Sequence, residues 1–278
     1  MDINFNILQV YQSKLSYEDF RKIADYMEKK FGIRLSEQKY LLVQNRLYKR
    51  LIANHIKDFE TYVNFIFSDI GKEELDRLPN FLTTNKTEFF REYEHFEYLT
   101  KFVLEKKNRR KFFIWSAACS SGEEPYSIAF TLEKVGVDYF IFASDISLKV
   151  LDIARRGVYS SDVLKDIDKD ILNNFFDVYK KDDHKILYRV KSDIRRKIRF
   201  DQVNLYAESY ENIPEVLDFI FLRNVLIYFS REVQQKVLTN VIKHLHPAGY
   251  LFLGHTEVIF NLDLPLKKVA PSIYKLNR

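Results

Sequence analysis

The residues whose types and spacing could do chemistry lie just after short apolar runs. Behind Phe112–Ala117 comes Ser116-Ala117-Ala118-Cys119-Ser120-Ser121-Gly122-Glu123-Glu124-Pro125, a chain of small side chains ending at a helix start. Small residues there let a ligand approach the backbone closely. With Gly122 alone the turn is a poor dinucleotide fingerprint, and Glu123 and Glu124 would repel a pyrophosphate where that motif needs positive potential. A cationic or uncharged ligand suits it better, although carboxylates in a first helical turn also serve the helix dipole. Asp145 ends the next run, about 20 residues beyond that turn, where an acid can hold both ribose hydroxyls of an adenosine or, alternatively, cap the following helix. Asn204-Leu205 and Arg223-Asn224 end two further runs, and amide and guanidinium groups there can read adenine edges and a carboxylate. S-adenosylmethionine (SAM), with a sulfonium, an ammonium and no phosphate, meets these demands.

Such positions require an open parallel sheet, whose ligand lies outside the carboxyl ends of the strands. Beyond Phe112 the apolar runs alternate with helical stretches, giving candidate strands at Phe112–Ala117, Tyr139–Ser144, Ile198–Val203, Leu217–Leu222 and Tyr250–Gly254. Segments near Val258 and Ser272–Leu276 are expected to add two more. The long connections imply right-handed crossovers and a doubly wound fold. Between Asp162 and Lys197 the alternation fails, and Ile186–Val190, after the polar turn Lys180-Lys181-Asp182-Asp183-His184, reads as one arm of a hairpin in an inserted β-rich element.

From Ser16 to about Asp76 apolar residues recur at helical spacing. There Lys39, Arg46, Arg50 and Lys57 project onto one stripe, with Tyr40, Leu41, Leu47, Tyr48, Leu51 and Ile52 opposite. The stripe is either an ordinary solvated face or a docking surface for an acidic partner, since Glu37 is the only acid between Ser36 and Lys57. The basic clusters Lys106–Lys111 and Arg195–Arg199 read as solubility and edge protection. The expected organisation is a helical docking domain over 1–78, a linker over 79–98 that contributes to the cofactor site, and an α/β domain over 99–278 with the β-rich insertion at about 162–197.

Bulk numbers fit a globular chain. In 278 residues, 7 Gly and 6 Pro exclude fibrous and low-complexity classes, while 24 Phe and 18 Tyr supply aromatic surface for packing. One cysteine, Cys119, excludes an intramolecular disulfide and zinc sites built on paired thiolates. A formal charge of +5, from 44 bases and 39 acids, does not call for nucleic acid. With no apolar stretch of membrane-spanning length and no signal-like start, the expected location is the cytoplasm.

Five blocks carry a resemblance to a known family: Thr84-Asn85-Lys86-Thr87-Glu88-Phe89-Phe90-Arg91-Glu92; Trp115-Ser116-Ala117-Ala118 followed by Gly122-Glu123-Glu124-Pro125-Tyr126-Ser127; Ala143-Ser144-Asp145-Ile146; Arg223-Asn224-Val225-Leu226-Ile227-Tyr228-Phe229; and Gly254-His255-Thr256-Glu257. In order and spacing they resemble the CheR chemotaxis receptor methyltransferases, and the helical segment is similar to that family's small domain. The resemblance implies a Rossmann-like class I SAM methyltransferase domain (α/β, doubly wound, mostly parallel sheet) with a small N-terminal all-helical domain and an inserted β-subdomain. It implies cofactor contacts from Asn85, Thr87 and Arg91, with Arg91 as a fork for the methionine carboxylate. Glu123 would take the cofactor's amino group, Asp145 the ribose, and Asn204 with Leu205 the adenine. Arg223 and Asn224 would lie beside the methyl-transfer site, lined by Tyr228.

The implied activity is esterification of glutamate side chains on bacterial chemotaxis receptors, with S-adenosylhomocysteine as product and no metal. A glutamate carboxyl has a pKa of about 4.3, so at neutral pH it is already a nucleophile and needs no general base; a dry, aligned site carries the catalysis. The implied partners are the receptors' cytoplasmic helices, met by the small domain through Arg46 and Arg50 above all, and in some members the receptor's C-terminal peptide, bound by the β-subdomain. The family's basic residue after the Arg91 block is left unassigned among Lys106, Lys107, Arg109 and Arg110. Cys119 reads as a small side chain, and His255 as support for the last strand. Two rivals stand beside this reading: an NAD-type oxidoreductase, disfavoured by the acidic, glycine-poor turn, and a catalytically weak SAM-binding scaffold of the same fold.

Overall fold

The computed structural model describes residues 7–83, 85–106, 111–181, 186–259 and 262–277. The chain divides into two compact units, one of Met1–Thr84 with Tyr228–Ser230, the other of Asn85–Ile227 with Arg231–Arg278.

In the first unit, helices α1 (Ile7–Gln12), α2 (Tyr17–Phe31), α3 (Tyr40–Ala53), α4 (Phe59–Ile66), α5 (Lys72–Asp76) and α6 (Leu78–Leu82) follow one another. Their ends follow from local chemistry. Ser16 Oγ accepts the Asp19 N–H at the start of α2, and Gly32, at φ 70°, closes it; Asp58 caps α4 through the Thr61 N–H. Apolar positions at three- and four-residue spacing (Phe20, Ile23 and Met27 from α2; Val43, Leu47 and Leu51 from α3) are fully buried. Arg50 reaches from α3 to α5, where its Nε and Nη2 grip both oxygens of Glu74 at 2.6 and 2.7 Å. Tyr62 and Asn54 complete the shell of that carboxylate.

In the second unit α7 (Glu94–Glu105) precedes β1 (Phe112–Ala117), α8 (Glu123–Val135), β2 (Tyr139–Asp145), α9 (Leu148–Arg156), β3 (Val158–Ser160), α10 (Lys169–Phe175), β4 (Phe176–Lys181), β5 (Ile186–Val190), α11 (Ser192–Arg195), β6 (Ile198–Gln202), β7 (Leu217–Leu222), α12 (Arg231–Ile242), β8 (Leu245–Leu253), β9 (Leu266–Ala270) and β10 (Ile273–Leu276). The main sheet runs β6-β2-β1-β7-β8-β10-β9. Its first five strands are parallel, and β9 and β10 add an antiparallel edge. The chain leaves β1 toward β2 on one side and returns as β7 on the other, so the topological switch lies between β1 and β7. Strand β7 is buried at every position, as a central parallel strand covered on both faces must be. A separate antiparallel sheet, β3-β5-β4, is the β-rich insertion.

Three expectations change. No strand forms at Val258; the additional edge strand is β9, at Leu266–Ala270. The insertion's sheet recruits Val158–Ser160, before the expected boundary, because β3 pairs with β5. The four-residue basic stripe does not exist as one helical face: α3 starts at Tyr40 and ends at Ala53, so Lys39 and Lys57 lie outside it. Within it Arg50 is committed to Glu74, Arg46 Nη1 donates to Leu82 O at 2.5 Å, and Leu41, expected on the packed side, is 64% exposed.

Candidate active site

The carboxyl ends of β1, β2, β6 and β7 converge on the turn Ala118–Gly122. Ala118 (φ 64°), Ser120 (φ 49°) and Gly122 (φ 98°) take left-handed backbone, which winds the chain tightly from β1 into α8. Gly122 has no alternative: a Cβ there would meet Ala154 Cβ and Tyr159 Oη, both at 2.9 Å. Of the seven non-glycine residues with left-handed φ among the described residues, Phe90, Glu92, Ala118, Ser120 and Asn224 border this site, the kind of clustered backbone strain that marks functional loops.

Asp145, at the tip of β2, is buried. Its Oδ2 accepts the Ser120 N–H and its Oδ1 the Ser147 N–H, both at 2.9 Å. Burial pushes its carboxyl upward in pKa, and the backbone donors at Ser147, Ser120 and Ile146 only partly offset that. The β2 carbonyl of Asp145 accepts Val203 N–H, which brings Asn204 and Leu205 to the same rim. Asn204 Oδ1 accepts the Tyr206 N–H at 3.0 Å, and Leu205 is buried. Ser120 Oγ donates to Asn85 O at 3.3 Å, so the segment carrying Asn85 and half-buried Thr87 lies against the turn.

Two acids open α8. Glu123 is 5% exposed, and the single Ser121 O–H is shared between its two oxygens, at 3.0 and 2.7 Å; burial raises its pKa. Glu124 accepts from Ser116 Oγ at 2.6 Å and from Arg223 Nη1 at 3.0 Å, and burial again raises its pKa against the pull of Arg223.

Arg223, just past β7, is a buried hub rather than an open cation. Its Nη1 binds Glu124, and its Nη2 donates to Arg91 O and to Glu92 Oε2, the latter at 3.0 Å. Its Nε has no hydrogen-bond partner. Through Arg91 O the hub brings in the half-buried Arg91 side chain, whose Nη1 donates to Lys86 O at 3.1 Å. Asn224 (φ 57°) donates its N–H to Glu257 Oε2 at 2.8 Å and its Nδ2 to Glu92 Oε1 at 3.2 Å.

The sequence reading missed three residues here. Glu257 accepts four backbone N–H groups, from Asn224, Val225, Leu226 and Gly254, at 2.6 to 2.8 Å. It thereby fixes the loop after β7 to the turn after β8. The turn is tight: a Cβ on Gly254 would meet Asn224 Nδ2 at 2.5 Å. Glu92 collects Arg223, Asn224 and the His255 N–H, and although burial opposes it, Arg223 and Asn224 hold its carboxyl below the ordinary range. His95 is buried with both ring nitrogens unpartnered, and burial drops its pKa to about 3. Glu92 and Glu257 stand inside the recognised blocks, where an acid beside Arg91 and another beside Gly254-His255 were the available signals.

Tyr228 groups with the helical unit, where Lys39 Nζ lies 5.4 Å from its ring centroid. Lys106 donates to Ala248 O at 2.5 Å and lies over Tyr250, near the beginning of β8, so it stands at the amino ends of the strands, away from the site. Lys107, Arg109 and Arg110 lie outside the described residues, as do Thr84 and the turn residues Asp182, Asp183 and His184. Phe89 and Phe90 are packing residues, against Phe130, Phe176 and Phe96. Cys119 is buried, with a raised thiol pKa from burial, and acts as a packing group.

Buried carboxylates with raised pKa values gathered at strand tips, beside a turn of small residues, fit a cationic, phosphate-free nucleoside and disfavour a pyrophosphate. Comparison with known proteins agrees in kind. Residues 85–274 match the family model described as CheR methyltransferase, SAM binding domain, and residues 18–83 match the one described as CheR methyltransferase, all-alpha domain. A chemotaxis protein methyltransferase of Salmonella typhimurium is 37% identical over 95% of this chain and 92% of its own length. One from Borreliella burgdorferi is 32% identical, covering 95% of each chain. The solved structure of DszA carbon methyltransferase aligns with 87% of this chain and 53% of its own at 15% identity and a TM-score of 0.41.

Proposed function

The chain belongs to the CheR methyltransferase family, and from that premise we propose how its own residues carry out SAM-dependent methylation of chemotaxis receptors. SAM, when bound, supplies an electrophilic methyl group. Asp145 is assigned to the ribose, Glu123 to the amino group, Asn204 and Leu205 to the adenine, and Asn85, Thr87 and Arg91 to the remaining polar contacts. The observation that carries this assignment is geometric: Glu123, just after the small-residue turn that follows β1, and Asp145, at the tip of β2 and holding that turn through the Ser120 N–H, are both buried acids.

The reacting group on the receptor is a glutamate carboxylate, ionised at neutral pH because its ordinary pKa is about 4.3. No side chain of this protein need remove a proton. Its contribution is to exclude water and to hold an aligned geometry, and the Arg223–Glu92–Glu124 hub with Glu257 behind Asn224 is built for rigidity. Arg223 and Asn224 therefore act by fixing the wall of the transfer site. Crystals grown with S-adenosylhomocysteine test the assignment: ribose hydroxyls on Asp145 support it, and an empty cleft at the tips of β1 and β2 overturns it.

The helical unit is assigned to the glutamate-rich receptor helices. With Arg50 committed to Glu74, the exposed charge left for that role from the expected set is Lys57, joined by half-buried Arg46 and Lys39. The antiparallel insertion ends in β4, whose Val178 and Tyr179 are 62% and 56% exposed, an edge suited to a receptor tail peptide added as a further strand. Among the described residues no helix is long and apolar enough to cross a membrane, so association with receptor arrays would run through these contacts. Charge reversal at Lys57 should slow receptor methylation and leave SAM affinity unchanged.

A further inference from the structure

Beside the Arg223 hub, on the side away from Glu124, three potential metal donors converge. Glu92 Oε2 lies 3.5 Å from His95 Nδ1 and 3.9 Å from His255 Nε2. All three donor atoms lie within 4.8 Å of one another. His95 is the unusual member. Its side chain is 1% exposed, yet neither ring nitrogen has a hydrogen-bond partner, a loss that buried polar groups rarely bear without cause. The ring is fixed by edge contacts with Phe252 and with His255 itself, at centroid distances of 5.6 and 5.0 Å.

We infer that Glu92, His95 and His255 form a three-ligand site for a borderline divalent ion of the Zn²⁺ class, with its remaining position open toward the exposed His255. The donor set, two imidazoles and a carboxylate, is one that zinc takes in open tetrahedral sites. With metal–nitrogen distances of about 2.0–2.1 Å, tetrahedral donors stand about 3.3 Å apart. The observed 3.5 and 3.9 Å lie close to that, the two imidazole donors lie within 4.8 Å, and movement of the part-exposed His255 ring closes the remaining gap. The ion would also satisfy a nitrogen of His95 that the protein leaves bare.

The site has a consequence for methyl transfer. The Glu92 Oε2 atom that faces both imidazoles also accepts from Arg223 Nη2 at 3.0 Å and from the His255 N–H at 3.2 Å. An entering dication competes with Arg223 for that oxygen and repels the guanidinium. Occupancy and the resting position of Arg223 exclude one another, so the ion inhibits. The same competition sets the affinity below that of a dedicated structural zinc site.

Zn²⁺ is titrated into the full-length protein against a chromophoric chelator, with no SAM or receptor present, and Co²⁺ is added separately for its visible absorption. The inference expects one ion per chain, tetrahedral Co²⁺ bands, and loss of methyl transfer on adding Zn²⁺ that chelator reverses. Since losing even an outer-shell partner costs roughly 10–100-fold in metal affinity, His95→Asn and His255→Ala should each weaken binding at least about tenfold. His255→Ala alters an exposed side chain, so it decides the matter even where His95→Asn does not fold. No stoichiometric binding at submillimolar Zn²⁺, or binding that both variants retain, overturns the inference. Because binding is read without SAM, a negative result here leaves the methyltransferase reading standing, and a failure of that reading does not alter this titration.

Discussion

Glu257 Oε2 accepts the Asn224 N–H at 2.8 Å, and that contact ties the loop after β7 to the turn after β8 at the rim of the cofactor cleft. With the N–H groups of Val225, Leu226 and Gly254 on the same carboxylate, one acid does the work that a stretch of regular structure does elsewhere. It also holds Asn224 in its left-handed conformation, which places the Asn224 side chain on Glu92.

Glu257→Ala should accordingly lower both stability and turnover. Each buried donor left without an acceptor costs about 1–3 kcal/mol, so with water partly compensating the total is about 3 kcal/mol. At roughly 2–4 °C per kcal/mol, thermal melts should move down by several degrees. In steady-state assays kcat should fall more than the affinity for SAM, none of whose assigned contacts is a backbone group that Glu257 holds. Glu257→Gln, which keeps one acceptor oxygen, should recover part of both losses.

Asp145→Ala tests the cofactor side. Hydrogen bonds to a charged group contribute about 1.5–3 kcal/mol each, so losing the ribose contacts should weaken SAM at least about tenfold by calorimetry. Unchanged affinity would count against the assignment. A circular dichroism melt controls for the loss of the Ser120 and Ser147 N–H contacts, which the substitution also removes.

Arg50→Ala should destabilise the helical unit rather than merely weaken docking. Glu74 is 7% exposed and would be left charged without its fork, a loss of about 3 kcal/mol for a broken buried pair. Urea unfolding followed by circular dichroism measures it, and Lys57→Ala, at an exposed position, should unfold with the wild type.

The same pair sets an acid dependence. Burial alone would raise the Glu74 pKa, but the Arg50 hydrogen bonds and charge override it and hold the carboxyl below its ordinary range. A group depressed in the folded state stabilises at any pH above its unfolded value of about 4.3 and loses that contribution as pH falls through its folded value. The stability of the helical unit should fall as pH is lowered below about 4.3, and Glu74→Gln should flatten that part of the curve.

The legible and illegible parts of this molecule separate on physical grounds. Strands β1 and β7 were readable to the residue because central parallel strands give short, mostly apolar runs, broken here only by Ser116 and Asp218, and the acid ending the run at Asp145 followed from strand-end logic. Lys39 and Lys57 join the projected stripe only because helical projection assumes a continuous helix, and the pairing of Arg50 with Glu74, 24 residues away, leaves no local trace. Glu257 and Glu92 escaped for a related reason: their meaning lies in partners from distant segments, and only the folded chain brings these together. The strand expected near Val258 does not form, because β8 ends at Leu253 and the chain then turns, with Glu257 N–H donating to Gly254 O.

The central claim is that this cleft moves a methyl group from SAM to receptor carboxylates. The direct measurement incubates the protein with methyl-labelled SAM and receptor-bearing membranes, then treats the labelled receptor with alkali. Volatile labelled methanol, lost when Asp145 is replaced by Ala, is the predicted result. Receptor that takes up no label, or label that survives alkali and so is not an ester, would contradict it.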